Sequence, residues 1–262
     1  MGLIKSDAPQ VLNFIVTGQV RCGASAIQQS VNRHTRAVCH ADVMHPDNAI
    51  RRAAHEEYFG PSGNTPDWLV DGHISGEQYL TNKIFDNTLQ EENVVGVKVL
   101  YPHIYNYDLW EYFANWCRRG DFCVIQLKRN PIASFLSLRE ARRREDWWEN
   151  ALPVDPDEEE DFPAQIDIEE LVQFVRAHAA AEQKVSSMCD DRLEIDFSEL
   201  FSNFRAVMEE VMDFLNLPFQ RRILSAWSPP KRPLERRVVH WRHLQSRVPT
   251  DVAKYFEDKK LY

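Results

Sequence analysis

No run of apolar residues in this chain is long enough to cross a bilayer, and the N-terminus has no signal-peptide core. Internal repeats are absent, and compositional bias is confined to one acidic run, Asp157-Glu-Glu-Glu-Asp161. The five cysteines, Cys22, Cys39, Cys117, Cys123 and Cys189, include no C-x-x-C pair. Their spacing points to neither a zinc site nor a disulfide framework, and a reducing cytoplasm is the compartment it fits. Excess positive charge is missing too: a formal net charge of −9 argues against the broad basic face of a nucleic-acid binder. There is no H-E-x-x-H and no carboxylate cluster to mark a metal site, and His40, His45 and His55 are spaced too irregularly to serve as ligands together. What is present is ordinary for a soluble globular protein: 262 residues, 44% apolar and 27% charged, enough for one large α/β domain over 1–262 rather than two small ones. Met1-Gly2-Leu-Ile-Lys-Ser6 fits the loose myristoylation pattern, a match so short that chance produces it often.

The informative stretch is Leu12 to Val31. Leu12–Thr17 has the Ile, Val and Phe content of a buried strand, and Ala26, Ile27, Ser30 and Val31 recur at helical spacing. Between them lies Gly18-Gln-Val-Arg-Cys-Gly23-Ala-Ser25. Strand, glycine-punctuated turn and helix form the layout of a phosphate-binding loop, whose backbone N–H groups and helix N-terminus favour an anion. The Walker A pattern G-x-x-x-x-G-K-[ST] keeps its glycines and hydroxyl here, but Ala24 stands where the lysine belongs. Without that cation the loop is expected to hold a phosphate-like group and not to hydrolyse ATP. A tight strand–helix turn that binds nothing is the other reading of this stretch alone. Cys22, beside Arg21 at a helix start, is either a thiol of lowered pKa or a small filler.

Besides the short strand candidates Ala37–His40 and the stretch from Leu193 to Asp196, two further buried strands are legible. Val94–Leu100 carries one polar residue, Lys98, which is either catalytic or a strand-end lysine snorkelling to solvent. Phe122–Leu127 ends at Lys128-Arg129-Asn130-Pro131, and Pro131 suits the first turn of the helix that continues through Ile132, Phe135, Leu136 and Leu138. Arg129 offers a planar fork for phosphate and Ser137, eight residues on, a hydroxyl donor.

Three segments carry a family resemblance. Arg21-Cys22-Gly23-Ala24-Ser25 resembles the R-S-G-T-[TS] loop of sulfotransferases, with Cys22 and Ala24 replacing Ser and Thr. VIQLKRNPIASFLS resembles their 3′-phosphate element, an Arg at a strand end and a Ser eight residues later. Asp196-Phe-Ser-Glu-Leu200 and Phe214-Leu-Asn-Leu217 are similar to their Y-E-D-L and F-L-G-L segments. These occur in family order, so the chain resembles PAPS-dependent sulfotransferases of the soluble bacterial type over residues 12–258 (PAPS is 3′-phosphoadenosine 5′-phosphosulfate). The resemblance implies an α/β fold with a central P-loop-type parallel sheet flanked by helices. It implies PAPS as co-substrate and no metal, with the phosphosulfate end on Arg21, Cys22, Gly23, Ala24, Ser25 and Ala26. The 3′-phosphate would meet Arg129, Ser137 and one arginine of a basic C-terminal loop, Arg236 or Arg237. Asn32-Arg33-His34 looks like the N-x-H that follows the loop in bacterial relatives.

The general base is the point of departure. In carbohydrate-type relatives it is a Glu at the position that Asp42 occupies here. In cytosolic small-molecule relatives the strand end reads Lys-Thr-His; Lys98 matches, but Leu100 stands where the His would be. Asp42 is therefore the expected base, with His45 and His103 as competitors. The implied reaction moves a sulfuryl group to a hydroxyl, less often an amine, of a small polar natural product or a carbohydrate, in the cytoplasm and without nucleic acid or membrane as partner.

Elsewhere the pattern predicts helices over 47–58, 77–89 and 108–119, and a long helix from the capping box Asp167-Ile-Glu-Glu170 to Met188. Residues 59–76 read as a long loop in the acceptor site with Trp68 as a wall, and 145–163 as an acidic mobile lid or rim. Tyr101, Tyr105, Trp147 and Trp148 either line the acceptor site or belong to the core. Arg139, Arg142, Arg143 and Arg144 read as a solvated helix face. Two other functions stay open: a P-loop nucleotide or small-molecule kinase, against which Ala24 speaks, and a non-catalytic phosphonucleotide-binding module.

Overall fold

The strand candidates assemble into one sheet, in a computed structural model that describes residues 11–45, 75–85, 93–120, 122–144, 166–224 and 241–257. β1 (Leu12–Gly18), β2 (Ala37–His40), β3 (Val94–Lys98), β4 (Phe122–Lys128) and β5 (Arg192–Asp196) are all parallel, in the order β2-β3-β1-β4-β5. Parallel neighbours need crossover connections. Among the described residues these contain α1 (Ala24–Val31), α2 (Gly76–Tyr79), α3 (Tyr101–Asn106), α4 (Trp110–Arg119), α5 (Pro131–Arg144) and α6 (Ile168–Met188). After β5 come α7 (Phe197–Ser202), α8 (Phe204–Phe214), α9 (Trp241–Arg247) and α10 (Thr250–Ala253), the last running into a 3-10 turn, Lys254–Phe256.

The chain leaves β1 toward β2 on one side and later passes from β3 to β4 on the other, so the strand order reverses around β1. In open α/β sheets that reversal, at the carboxyl ends of the strands, is where ligands bind. The loop after β1 therefore emerges where the topology leaves a crevice.

Period-two alternation divides the core between the two faces. Ile15, Val97 and Val124 pack with Tyr112, Phe113 and Trp116 of α4 and with Ala181 and Val185 of α6. Phe14, Val16, Ile125 and Leu127 pack with Ile27 and Val31 of α1 and Val207 and Val211 of α8. A third cluster joins Ile132, Phe135 and Leu136 of α5 to Leu171 and Val175 of α6, with Leu244 and Val252 from the C-terminal helices. In β3, Gly96 pairs with Phe14 of β1, and a Cβ there would lie 2.1 Å from the Phe14 ring. The missing side chain is what lets that ring lie across the sheet.

Most sequence expectations within the described residues hold: α6 opens at Asp167, whose carboxylate accepts from the N–H groups of Glu169 and Glu170, and closes at Met188. The helix expected from residue 77 starts at Gly76 under a Ser75–Gln78 capping box, then widens into a π turn over Leu80–Phe85 that buries Leu80 and Ile84. The strand expected to reach Leu100 ends at Lys98, and Tyr101 proves to be core, its hydroxyl accepting a 2.9 Å bond from Gln126. On α5, Arg139 and Arg142 share Glu170 on the outer face. The helix expected over 47–58, Trp68, His55, the acidic segment with Trp147 and Trp148, and Arg236 and Arg237 lie outside the described residues.

The cysteine expectation needs correction. Cys117 near the end of α4 and Cys189 capping α6 form a disulfide, with Cα atoms 5.1 Å apart. A separation of 72 residues carries no recognisable spacing; the pair meets because α4 and α6 bury the same sheet face. The bridge removes the cysteine pattern as an argument for a reducing compartment.

Two stability measurements follow from this packing. Adding a methyl at Gly96 (Gly96→Ala) overpacks the Phe14 contact and should lower the urea unfolding free energy by about 1–3 kcal/mol; an unchanged midpoint would refute the contact. Reducing Cys117–Cys189 should cost up to about 4 kcal/mol, from the entropy of the closed loop, read as a lower Tm with reductant that Cys117→Ser reproduces without it.

Candidate functional site

The glycine-punctuated turn forms the first wall of the site. Cys22 donates its N–H to the Gln19 carbonyl at 3.2 Å, and Gly23 caps α1 at φ 90°, a left-handed conformation that glycine adopts without cost. A Cβ at Gly23 would also lie 2.8 Å from Leu200, so the loop sits tightly on α7. No side chain caps α1; the Ala26 N–H donates to the Gly23 carbonyl at 3.0 Å, and a helix start of this kind favours an anion. Arg21 at φ 65° and Asp42 at φ 59° hold left-handed backbone with full side chains. Such conformations cost energy and persist where the surroundings over-determine them, commonly at functional positions.

The second wall comes from β4 and α5. Arg21 Nε donates to Ser137 Oγ at 3.2 Å, although 116 residues separate them. Arg129, buried at the end of β4, donates from Nη1 to the Arg21 carbonyl. Its guanidinium lies 3.8 Å from the centre of the Phe197 ring. Three residues picked out in two distant motifs are thus in direct contact. Phe197, which stacks the arginine, lies in the Asp196–Leu200 segment; an aromatic directly after a strand that flanks the site was the signal for it.

The third group centres on Lys98, which does not snorkel but is buried. Its Nζ is 2.9 Å from Asp42 Oδ1 and 3.4 Å from Ser25 Oγ. The ammonium absent at Ala24 therefore reaches the loop hydroxyl from the end of β3. A buried ammonium needs a countercharge, and Asp42 supplies it. Asp42 is held in place by its turn, where its carbonyl accepts the His45 N–H at 2.9 Å. The His45 and His103 rings meet edge to face at 6.3 Å. Burial, reinforced by Lys98 and His45 and opposed by Asp42, pushes the His103 pKa down to about 3. His103 Nδ1 accepts the Leu100 N–H at 3.3 Å, fixing the ring at the start of α3.

Burial also raises the Cys22 thiol to about 11 despite nearby Arg129 and Lys98, so of its two readings the small buried filler holds and the lowered-pKa thiol does not. The Asn32-x-His34 element turns out to be scaffolding. Asn32 brackets the Cys39 backbone through its N–H at 2.6 Å and its carbonyl at 3.1 Å, and His34 Nε2 contacts the Pro218 carbonyl at 3.1 Å. Together with Gln28, which donates to the same Cys39 carbonyl, Asn32 locks β2 to α1 and so fixes where Asp42 begins. Ala24 and Ala26 are buried on α1, their side chains packed in the core rather than presented to a ligand.

No family model and no curated protein matches this chain. Among solved structures it is similar to a sulfotransferase from Alicyclobacillus acidocaldarius, with 16% identity, 94% of each chain covered and a TM-score of 0.50. It is also similar to the sulfotransferase domain of the Synechococcus PCC 7002 olefin synthase, with 12% identity, 99% of this chain and 91% of that one covered, and a TM-score of 0.48. With its five parallel strands flanked by helices, the chain has the fold of the Alicyclobacillus sulfotransferase.

Proposed function

We propose that this protein is a sulfotransferase that moves the sulfuryl group of PAPS to a hydroxyl, less often an amine, of a small polar natural product or a carbohydrate. The observation that carries the reading is the contact of Arg21, Ser137 and Arg129 beside a Lys98 that touches both Ser25 and Asp42. One cluster of side chains suits a 3′-phosphate, and the other suits a phosphosulfate next to a proton acceptor. PAPS supplies an activated sulfuryl group; the chain supplies position and charge.

In this reading Arg129 and Ser137 grip the 3′-phosphate, with Arg129 oriented by the Phe197 ring and the Arg21 carbonyl. Arg21, the Ser25 hydroxyl and the N–H groups of Gly23 and Ser25 cradle the phosphosulfate end, while the Cys22 and Ala26 N–H groups brace the loop through the Gln19 and Gly23 carbonyls. Lys98 holds its charge where negative charge grows on the departing phosphate oxygen, an electrostatic role that needs no reorganisation. Asp42, on the other side of the same ammonium, accepts the proton of the acceptor hydroxyl. His103 makes a poor base: burial holds its conjugate acid near pKa 3 and its Nδ1 is engaged. His45, the other competing base, lies edge to face against the His103 ring. A kinase reading is disfavoured because Ala24 stands where the Walker lysine belongs.

Calorimetry of 3′,5′-bisphosphoadenosine (PAP) against ATP–Mg, followed by labelled PAPS with fractionated host extract, tests the proposal. Binding of PAP and a labelled product support it; no PAP binding overturns it, and PAP binding without any product leaves a non-catalytic binding module. Asp42→Asn should lower turnover by at least about a hundredfold while PAP affinity is retained, since an amide cannot take up the proton. Arg129→Ala should weaken PAPS about 10–100-fold, the range for a charge-assisted contact; wild-type affinity would contradict the 3′-phosphate assignment.

His103 carries a pH signature. Its folded pKa lies below the ordinary 6.5, so between about 3 and 6.5 the unfolded chain binds the extra proton. Its contribution to stability is complete above pH 6.5 and is lost as pH falls toward 3. His103→Asn should flatten stability against pH across that window in urea titrations, and an unchanged slope would show that the ring is not held neutral.

A further inference from the structure

The turn that carries Asp42 is gripped at both ends. Before it, Gln28 and Asn32 hold the Cys39 carbonyl and so fix the end of β2. After it, the Tyr107 hydroxyl donates to the His45 carbonyl at 3.3 Å, across 62 residues of chain. The turn itself is closed by the His45 N–H on the Asp42 carbonyl at 2.9 Å, so what holds His45 also holds Asp42. Val43 and Met44, between the two, are buried.

Tyr107 is itself anchored. It follows α3, where its N–H donates to the His103 carbonyl at 3.1 Å, and it packs against the core that contains Met44 and Leu109. Gly76, the first residue of α2, leaves the space for this meeting. A Cβ there would lie 3.1 Å from each of three atoms: Met44 Cε, Leu109 Cδ2 and Tyr107 Cβ. The start of α2, the Asp42 turn and the residue after α3 thus close on one another at that notch.

The grip has something to hold. Asp42 stands at φ 59°, a conformation that a residue with a full side chain keeps only while its surroundings over-determine it. Relaxed toward ordinary backbone angles, it would carry its carboxylate away from Lys98 Nζ, now 2.9 Å from Oδ1. Proton uptake needs hydrogen-bond reach, and a misplacement of about 1 Å lowers a rate severely.

We propose that Tyr107 is a positioning residue: its hydroxyl, with the notch at Gly76, holds the Asp42 turn left-handed and so keeps the carboxylate on Lys98. It acts through the His45 backbone, not on a reacting group. The inference rests on the reading of Asp42 as the proton acceptor.

Steady-state transfer from labelled PAPS, with the host-extract fraction that yields product, tests it on the full chain. Tyr107→Phe keeps the ring and should lower kcat about tenfold, with KM for PAPS and PAP affinity unchanged. Gly76→Ala, which pushes Met44 and Tyr107 apart, should act in the same direction. In an Asp42→Asn background, adding Tyr107→Phe should change turnover by less than about twofold, since no proton acceptor is left to position. A tyrosine with only a structural part would cost the same in both backgrounds. Equal losses, wild-type kcat in Tyr107→Phe, or a loss confined to KM therefore overturn the proposal while the reading of the reaction stands. Absence of product from the wild-type protein overturns that reading, and the proposal with it. If Tyr107→Phe fails to fold by circular dichroism, Gly76→Ala alone and combined with Asp42→Asn carries the same comparison.

Discussion

The Lys98 ammonium is the constraint around which the site is arranged. It is buried at the end of a central strand, where an unpaired charge would be very costly. Its compensation comes from Asp42, on the turn after the adjacent strand β2, and from Ser25, on the first turn of α1. These contacts join three carboxyl-terminal ends of the sheet at one point. They also place a positive charge beside the phosphate-type loop from a direction that the Walker pattern does not use. The loop keeps a strand–turn–helix layout, and the lysine beside its hydroxyl comes from β3 instead of from the loop itself.

A second link ties the same loop to the other side of β1. Arg21 reaches across to Ser137, and Arg129 reaches back to the Arg21 carbonyl, so the loop after β1 and the helix after β4 brace each other. Phe197 supports Arg129 from beneath, coupling β5 and α7 to the same brace. The order β2-β3-β1-β4-β5 makes both links short, because β1 has β3 on one side and β4 on the other. A chain with the same motifs and another strand order would separate them.

Burial rather than charge sets the chemistry of the nearby titratable groups. Cys22 sits among cations, which favour a thiolate, yet desolvation dominates and the thiol stays protonated. His103 lies near Asp42, which favours an imidazolium, yet burial and Lys98 win and the ring stays neutral. Desolvation therefore suppresses ionisation at the sulfur and imidazole that lie beside the Lys98–Asp42 contact.

Local sequence alone determined the strands, the loop and the long α6 helix, because apolar periodicity, glycine placement and capping residues act over a few neighbours. Arg129, Ser137 and Arg21 stood out in the sequence as candidates, since a strand end followed by a proline-started helix constrains both ends of the motif, and the structure brings the three into contact. Lys98 was ambiguous, because a strand-end lysine becomes a buried countercharge or a snorkelling side chain according to what lies above it. The Cys117–Cys189 bridge and the Asp42–Lys98 pair were settled only in three dimensions: each joins segments whose separation carries no pattern, and which meet because helices and strands share a face of the sheet.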